Sequence, residues 1–307
     1  MTTCHGFRLF VAVASRAMTG VTAAFAATGL YYVGFAVFKV AAGRMAPLRG
    51  NQIPRLALTM LSSWIFLLGL VLVLGGLWLQ IIALARIPLS EGVPIFVSGL
   101  VPLLVIAVVF FGERLALREW LGLALIAAAM LLIALSIGSL PPITAHPVPL
   151  WKLAAVVVPT LCVPLLLVAF GDTSPDGRHA RPVAGIAFGL ASGLPVGTAE
   201  LAIKGWGDAH AKGFSILSTP YPYVTVLAAA AGFGIMQVGF QRCRVAIVAT
   251  VMTISAKSYL LLVGALLYGE PWPSDKGRVW LRVFGFAVAG AAVLAFPRHD
   301  TVRPVRQ

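Results

Sequence analysis

Residues 60–86 read MLSSWIFLLGLVLVLGGLWLQIIALAR. Between Ser63 and Arg86 this stretch carries no charged side chain, and it exceeds the roughly 20 apolar residues that an α-helix needs to cross a bilayer. The rest of the chain has the same character. Of 307 residues 60% are hydrophobic and 11% are charged, whereas soluble domains are roughly 25% charged. We therefore predict that lipid surrounds most of the chain.

Nine segments have the length and apolar character that a spanning helix needs. They are residues 21–41, 60–86, 91–111, 119–138, 151–170, 182–204, 222–242, 246–268 and 279–297. Residues 54–87 fit one long helix, or a surface turn followed by a span, so ten helices are an alternative. The apolar runs lack the alternation of a β-barrel, and we expect an all-α integral membrane protein of about nine transmembrane helices.

The net charge of +13 comes from basic residues that are scattered between the apolar segments. This argues against nucleic-acid binding, which needs basic side chains gathered on one face, and assigns them to helix ends beside lipid headgroups. Their distribution favours a multi-pass protein of the cell membrane with the N-terminus outside and the C-terminus in the cytoplasm. We expect residues 1–20 to be an N-terminal tail, with Met18 as an alternative start, and residues 299–307 to be a C-terminal tail.

The sequence also matches itself. An offset of 157 positions superimposes glycine and polar residues in pairs without a gap. The pairs are Gly75 with Gly232, Gln80 with Gln237, Gly112 with Gly269, and Glu113 with Glu270. We interpret residues 21–140 and 182–298 as two repeats, joined by a connecting helix at 151–170. A single connecting helix inverts the second repeat in the membrane, as in many secondary transporters. Chance similarity between apolar segments is the alternative.

A family resemblance follows from these motifs. Phe110-Phe111-Gly112-Glu113-Arg114-Leu115, followed by Trp120-Leu121-Gly122, resembles the end of an EamA repeat, and Tyr268-Gly269-Glu270-Pro271 is similar. The chain thus resembles the drug/metabolite transporter superfamily, whose members carry two such repeats. The helix count, a first helix ending in Lys39, and Ala85-Arg86-Ile87-Pro88-Leu89 resemble NIPA-type magnesium transporters. That family carries Gly-Glu and Asn in its second helix, where this chain reads Gly76-Leu77-Trp78-Leu79-Gln80 without a carboxylate.

Three charged side chains within the predicted spans are candidates for a binding site, because a charge at the centre of a membrane helix costs roughly 2.5–3.5 kcal/mol. We interpret Glu200 as the site of a proton or cation, with Lys257 as its partner or as a contact for an anionic group. A structural ion pair is the alternative. Lys204 lies one helical turn from Glu200 and is better explained by snorkelling to the interface.

The remaining candidates fall into four groups. Gln80 and Gln237 are expected to bond between helices, with solute binding as the alternative. Four aromatic residues have two interpretations, either as the lining of an aromatic cavity for organic solutes or as ordinary packing residues. They are Tyr31, Tyr32, Trp78 and Tyr259. The motif glutamates Glu113 and Glu270 are interpreted as helix caps or partners of arginines. A glycine at every fourth position predicts a ridge for close helix packing, formed by Gly185, Gly189, Gly193 and Gly197.

Several function classes have little support. No nucleophile, base and orienting group stand at a recognisable spacing, so we do not expect an enzyme. Cys4, Cys162 and Cys243 are too far apart for a disulfide framework or a zinc site, and we expect no metal site and no cofactor. The sequence favours a secondary transporter of a small metabolite or drug-like solute, coupled to protons or another ion. NIPA-like magnesium transport and a non-transporting scaffold are the alternatives. The expected partners are the bilayer and the solute or ion, and no feature indicates a homodimer.

Overall fold

A computed structural model of the chain describes residues 20–46, 48, 52–84, 95–96, 98–113, 117–136, 148–171, 182–208, 217–268, 273 and 275–295. Within these ranges the main elements are ten α-helices. They are α1 (Gly20–Arg44), α2 (Ile53–Leu61), α3 (Trp64–Leu84), α4 (Leu100–Phe111), α5 (Leu117–Ser136), α6 (Leu150–Gly171), α7 (Pro182–Asp208), α8 (Tyr221–Arg242), α9 (Val245–Tyr268) and α10 (Lys276–Ala295). The described part of the chain is therefore all-helical, as the composition predicts.

Six of these helices are long and apolar enough to cross a membrane. They are Gly20–Arg44, Trp64–Ala83, Leu150–Phe170, Ala184–Gly205, Tyr221–Arg242 and Val245–Tyr268. The chain is accordingly a multi-pass membrane protein. Helices α4, α5 and α10 coincide with predicted spans but do not meet the same limits over their described lengths. The count of nine spans therefore stays a prediction.

Residues 54–87 were expected to form either one long helix or a surface turn followed by a span, and the short helix α2 distinguishes between these alternatives. Its nine residues extend only about 14 Å at 1.5 Å per residue, which is too short to cross the membrane. It packs on the bundle through Met60, which is buried, whereas Leu58 and Leu61 on its other side are exposed. Ser62 and Ser63 separate it from α3. The stretch is therefore a short surface helix followed by a long apolar helix.

The glycine ridge of α7 lies against α9. A Cβ atom added to Gly193 would stand 2.7 Å from the carbonyl oxygen of Met252, and one added to Gly189 would stand 2.7 Å from the Cβ of Val251. Gly197 faces the carbonyl oxygen of Ala256 in the same way, at 2.8 Å. The ridge thus packs two helices of the same chain together, and α8 also packs on α7.

Contacts between helix termini define two ends of the bundle. At one end, Lys39 near the end of α1 bonds to the corner at 242–245 between α8 and α9, and we call this the corner end. At the other end, the last residues of α7 contact Tyr221 at the start of α8. Helix α1 begins there, and we call it the Gly20 end. Helix α5 packs on α10, where the guanidinium of Arg282 donates to Ser136 at 3.2 Å.

Candidate functional site

A cavity of about 90 Å³ lies between helices from both halves of the sequence. Helices α1 and α3 line one side, α7, α8 and α9 line the other, and one residue just before α4 contributes. The volume is sufficient for several water molecules. Most of the wall is apolar, and its aromatic members are Tyr31, Tyr32, Phe35, Phe96 and Phe233. The cavity therefore offers an aromatic surface in the interior of the bundle.

An ion pair lies on the wall of this cavity. The Nζ atom of Lys257 donates to the Oε1 atom of Glu200 at 2.6 Å, and their side chains are 8% and 13% exposed. The second carboxylate oxygen, Oε2, is buried without a hydrogen-bond partner. The Lys257 ammonium also lies 5.2 Å from the centroid of the Phe96 ring, within the range of a cation–π contact. Glu200 thus has a buried carboxylate oxygen whose hydrogen-bonding capacity is unused.

Polar groups from α1 and α3 also line the cavity. The hydroxyl of Tyr31 donates to the Oε1 atom of Gln80 at 2.7 Å, and both residues line the cavity. The hydroxyl of Tyr32 donates to the carbonyl oxygen of Phe96 at 3.3 Å. Gln80 therefore bonds between helices and borders the cavity at once. Trp78, the third aromatic candidate of this group, points away from the interior and is 57% exposed.

Three predicted site residues lie away from the cavity lining. Gln237 is fully buried and donates to the carbonyl oxygen of Phe38 at 2.9 Å. Tyr259 is buried with its ring against Gly197. The ammonium of Lys204 lies 5.1 Å from the centroid of the Tyr268 ring. The structure thus separates these three from the Glu200–Lys257 pair.

The first Gly-Glu motif joins α4 to α9. Gly112 adopts a φ of 63°, a left-handed conformation that suits glycine, and it ends α4. The turn directs the Glu113 carboxylate to the start of α9, where it accepts hydrogen bonds from the amides of Val245 at 2.6 Å and Ala246 at 3.1 Å. A negative group at this position complements the helix dipole. Glu113 is a cap in the described structure, whereas Gly269 and Glu270, the matching positions of the predicted second repeat, lie outside the described residues.

Burial raises the pKa of Glu113 above its ordinary value, and several contacts oppose that effect. The two amide bonds from Ala246 and Val245 act to lower the pKa, as do the positive charges of Lys39 and Arg244. The carboxylate is 9% exposed. The corner end therefore contains a buried acid whose charge is balanced by amide groups and by nearby cations.

Two further side chains form hydrogen bonds at the same corner between α8 and α9. Lys39 donates from Nζ to the carbonyl oxygens of Phe240 at 2.6 Å and Cys243 at 2.8 Å, which occupies acceptors at the end of α8. Gln241 donates to the carbonyl oxygens of Ala42 and Ala46, each at 3.0 Å. In the sequence, Lys39 stood out only as the end of the first helix, and Gln241 was not among the predicted residues.

Other cavity residues were also missed by sequence reasoning. Thr28 and Phe35 share a face of α1 with Tyr31 and Tyr32, because residues three and four apart are neighbours on a helix. That spacing was visible in the sequence. Thr225, Thr253 and Phe233 carried no such signal, since single threonines and aromatic residues are common in apolar helices.

Comparisons with protein-family models, with curated proteins and with solved structures find no match. The cavity and its ion pair are therefore the basis for assigning a function.

Proposed function

We propose that this chain is a secondary transporter that moves a small organic solute through the cavity between its two halves. The observation that carries the proposal is the Glu200–Lys257 pair, which lies on the wall of an internal, largely aromatic cavity. Ionisable groups inside membrane helices are costly, and they mark solute and ion pathways in many membrane proteins. The Oε2 atom of Glu200 is buried without a partner, so the carboxylate has an acceptor to offer once the side chain moves towards the cavity.

The pair also suggests how transport is coupled to an ion. When a solute separates Lys257 from Glu200, the carboxylate loses its counter-charge in apolar surroundings, which is costly. Glu200 then takes up a proton or another monovalent cation, and the freed ammonium of Lys257 contacts an anionic group of the solute. Re-formation of the 2.6 Å contact releases both. The cycle uses one carboxylate and one ammonium, and its net charge is balanced at each stage.

An organic solute has more support than magnesium. The Lys257 ammonium stands directly beside Glu200, and it would repel a divalent cation at the same carboxylate. The aromatic side chains of the wall suit the apolar part of an organic molecule. The experiment below also tests two alternatives. One is magnesium transport by a protein of the same fold, and the other is a scaffold that transports nothing.

The packing pattern favours the drug/metabolite transporter architecture of two inverted repeats. Helix α1 packs on α3, and α7, which would be the repeat mate of α1, packs on α8, the mate of α3. The last helices of the two halves, α5 and α10, pack on each other, as expected for elements related by a two-fold axis. We further propose that the Gly20 end faces the outside and the corner end faces the cytoplasm, following the distribution of basic residues.

The test uses proteoliposomes that contain the purified full-length chain and the pH indicator pyranine. Separate wells receive small organic solutes, namely weak acids, amines, zwitterions and sugars, and a parallel set with a magnesium indicator receives Mg²⁺. We expect at least one organic solute to drive proton movement in the wild type but not in Glu200→Gln. Magnesium entry without any response to organic solutes would transfer the assignment to the magnesium class. No flux of either kind, in protein that remains folded, would leave the scaffold alternative.

A further inference from the structure

The lining of the cavity stops short of the corner end of the bundle. On α8, the lining residues are Thr225, Ala229 and Phe233, although the helix continues to Arg242. On α1, the lining ends at Phe35, although the helix continues to Arg44. The space between the cavity and the corner end is therefore occupied by protein.

Aromatic packing fills the first part of that space. Phe38 stacks on Phe66 with ring centroids 4.8 Å apart, and its ring lies 5.7 Å from that of Phe233, which borders the cavity. Met236 and Phe240 follow on α8 and are 0% and 1% exposed. Among the described residues, these side chains form a floor that lies between the cavity and the corner end.

A polar layer lies beyond the floor, and its bonds all connect different segments of the chain. Lys39 and Gln237 join α1 to α8, and Gln241 joins the end of α8 to residues 42–48. Glu113 joins the segment after α4 to the start of α9. We call these four side chains, with the backbone at 240–246 that they hold, the corner gate. Most of these bonds end on backbone atoms at helix termini, which need a partner when they are buried.

We propose that the corner gate closes the solute site towards the corner end, and that Glu113 is the latch that must release α9 before this end opens. The inference rests on the proposed transport function. Glu113 is the only member of the corner gate that comes from the segment between α4 and α5, so its two bonds tie α9 to a separate part of the bundle. Its release removes a charged cap from α9 and frees the corner to move with α8.

Access to the cavity can be measured without knowing the solute. A reporter cysteine replaces Ala229, which lines the cavity, in a chain whose three native cysteines are changed to alanine. Membrane-impermeant maleimide is added to right-side-out and inside-out vesicles, and the labelling rate is followed. Single cysteines at Ser218 and Ser62, exposed residues near the Gly20 and corner ends respectively, identify the side that each end faces.

The wild-type background should label at Ala229→Cys from the Gly20 end and much more slowly from the corner end. Glu113→Gln and, separately, Gln241→Ala should raise the corner-end rate by about tenfold, the shift in an open–closed equilibrium expected when charge-assisted or multiple hydrogen bonds are lost. Asp275→Asn is the matched control, because Asp275 also accepts from backbone amides at a helix start, at the opposite end of the bundle. Its corner-end rate should equal that of the wild type.

Two results would overturn the gate. One is equal labelling from both ends in the wild-type background. The other is an unchanged corner-end rate in both gate variants while their labelling from the Gly20 end shows that the cavity is intact. If Glu113→Gln fails to fold, Gln241→Ala decides the question. Because no solute is present, a negative result here leaves the flux test of the transporter untouched, and a negative flux test leaves this result standing.

Discussion

Glu200 and Lys257 stand 57 positions apart in the sequence, and their side chains meet at 2.6 Å beside the cavity. The glycines of α7 make this possible, because they let the backbone of α9 approach closely at Gly193 and Gly197. Glu200 follows on the same helix, directly opposite the turn that carries Lys257. The packing of two helices and the position of the ion pair therefore have one structural cause.

Loss of one partner of the pair should destabilise the protein more than loss of both. Lys257→Met leaves a buried carboxylate without its counter-charge, and we expect a loss of about 3 kcal/mol in unfolding free energy. The double variant Glu200→Gln/Lys257→Met should recover most of that loss. Thermal unfolding in detergent across the four proteins of this cycle measures the difference. Additive losses in the double variant would mean that the two side chains do not interact.

The glycine ridge should tolerate no added methyl group. Gly193→Ala places a Cβ atom 2.7 Å from the carbonyl oxygen of Met252, and we expect it to cost about 1–3 kcal/mol through overpacking. Gly29→Ala on α1 is the matched control, since nothing lies within 4 Å of the added atom. The control should be neutral, or stabilising by up to about 1 kcal/mol because alanine favours the helix. Equal unfolding temperatures for the two variants would contradict the close approach of α7 and α9.

Much of the fold could be predicted because lipid leaves few choices. Long uncharged runs such as the one at 60–86 predict helices, and seven of the predicted segments lie within a few residues of the observed bounds. The exceptions are 60–86, which begins inside the short helix α2, and 91–111, where α4 begins only at Leu100. The glycines of α7 and the possible pairing of Glu200 with Lys257 were also visible, because a small-residue ridge and a buried charge are rare signals with few explanations. The short helix α2 was harder, since an amphipathic surface turn and the start of a long span contain similar residues.

The Glu113 cap should give the protein a defined pH dependence. Burial raises the pKa of Glu113 above its ordinary value of 4.5, so the folded state binds this proton more tightly than the unfolded state. Stability from this group therefore increases as the pH falls through the folded-state pKa, and is lost as the pH rises. Lys39 and Arg244 are the charged groups that act on Glu113, and both lower its pKa.

Thermal unfolding of the wild type and Glu113→Gln at neutral and mildly acidic pH tests this sign. The unfolding temperature of the wild type relative to the variant should rise on acidification. A fall in that difference would mean that the ionised carboxylate is favoured in the folded protein, and that amide bonds outweigh burial.

Cys243 offers a native probe of the corner gate. Its burial raises the pKa of the thiol to about 11, so at neutral pH almost none of it is the reactive thiolate. We expect slow maleimide labelling in the wild type and labelling at least several-fold faster in Gln241→Ala, because an opened corner admits water and eases that burial. A rate that is already fast in the wild type, and unchanged in the variant, would contradict a closed corner.

The polar contacts of the site were mostly beyond prediction from sequence. Gln80 and Gln237 match at the offset of the predicted repeat, yet one borders the cavity with Tyr31 and the other bonds to the backbone at Phe38. The match predicts similar roles for the two residues, whereas the difference arises from which helices meet at each position. Likewise the partner of Glu113 is a helix start 132 positions away, and no local pattern encodes such a contact.

The most direct test of the central claim is solute-driven flux in proteoliposomes that hold wild type, Glu200→Gln, Lys257→Met or Asp275→Asn. The solute is the organic compound that drives proton movement in the wild type. We predict that both cavity variants lose this flux while remaining folded, and that Asp275→Asn, which removes an exposed carboxylate outside the cavity, retains it. Undiminished flux in Glu200→Gln and Lys257→Met would contradict the account, because the solute would then cross without the pair that defines the site.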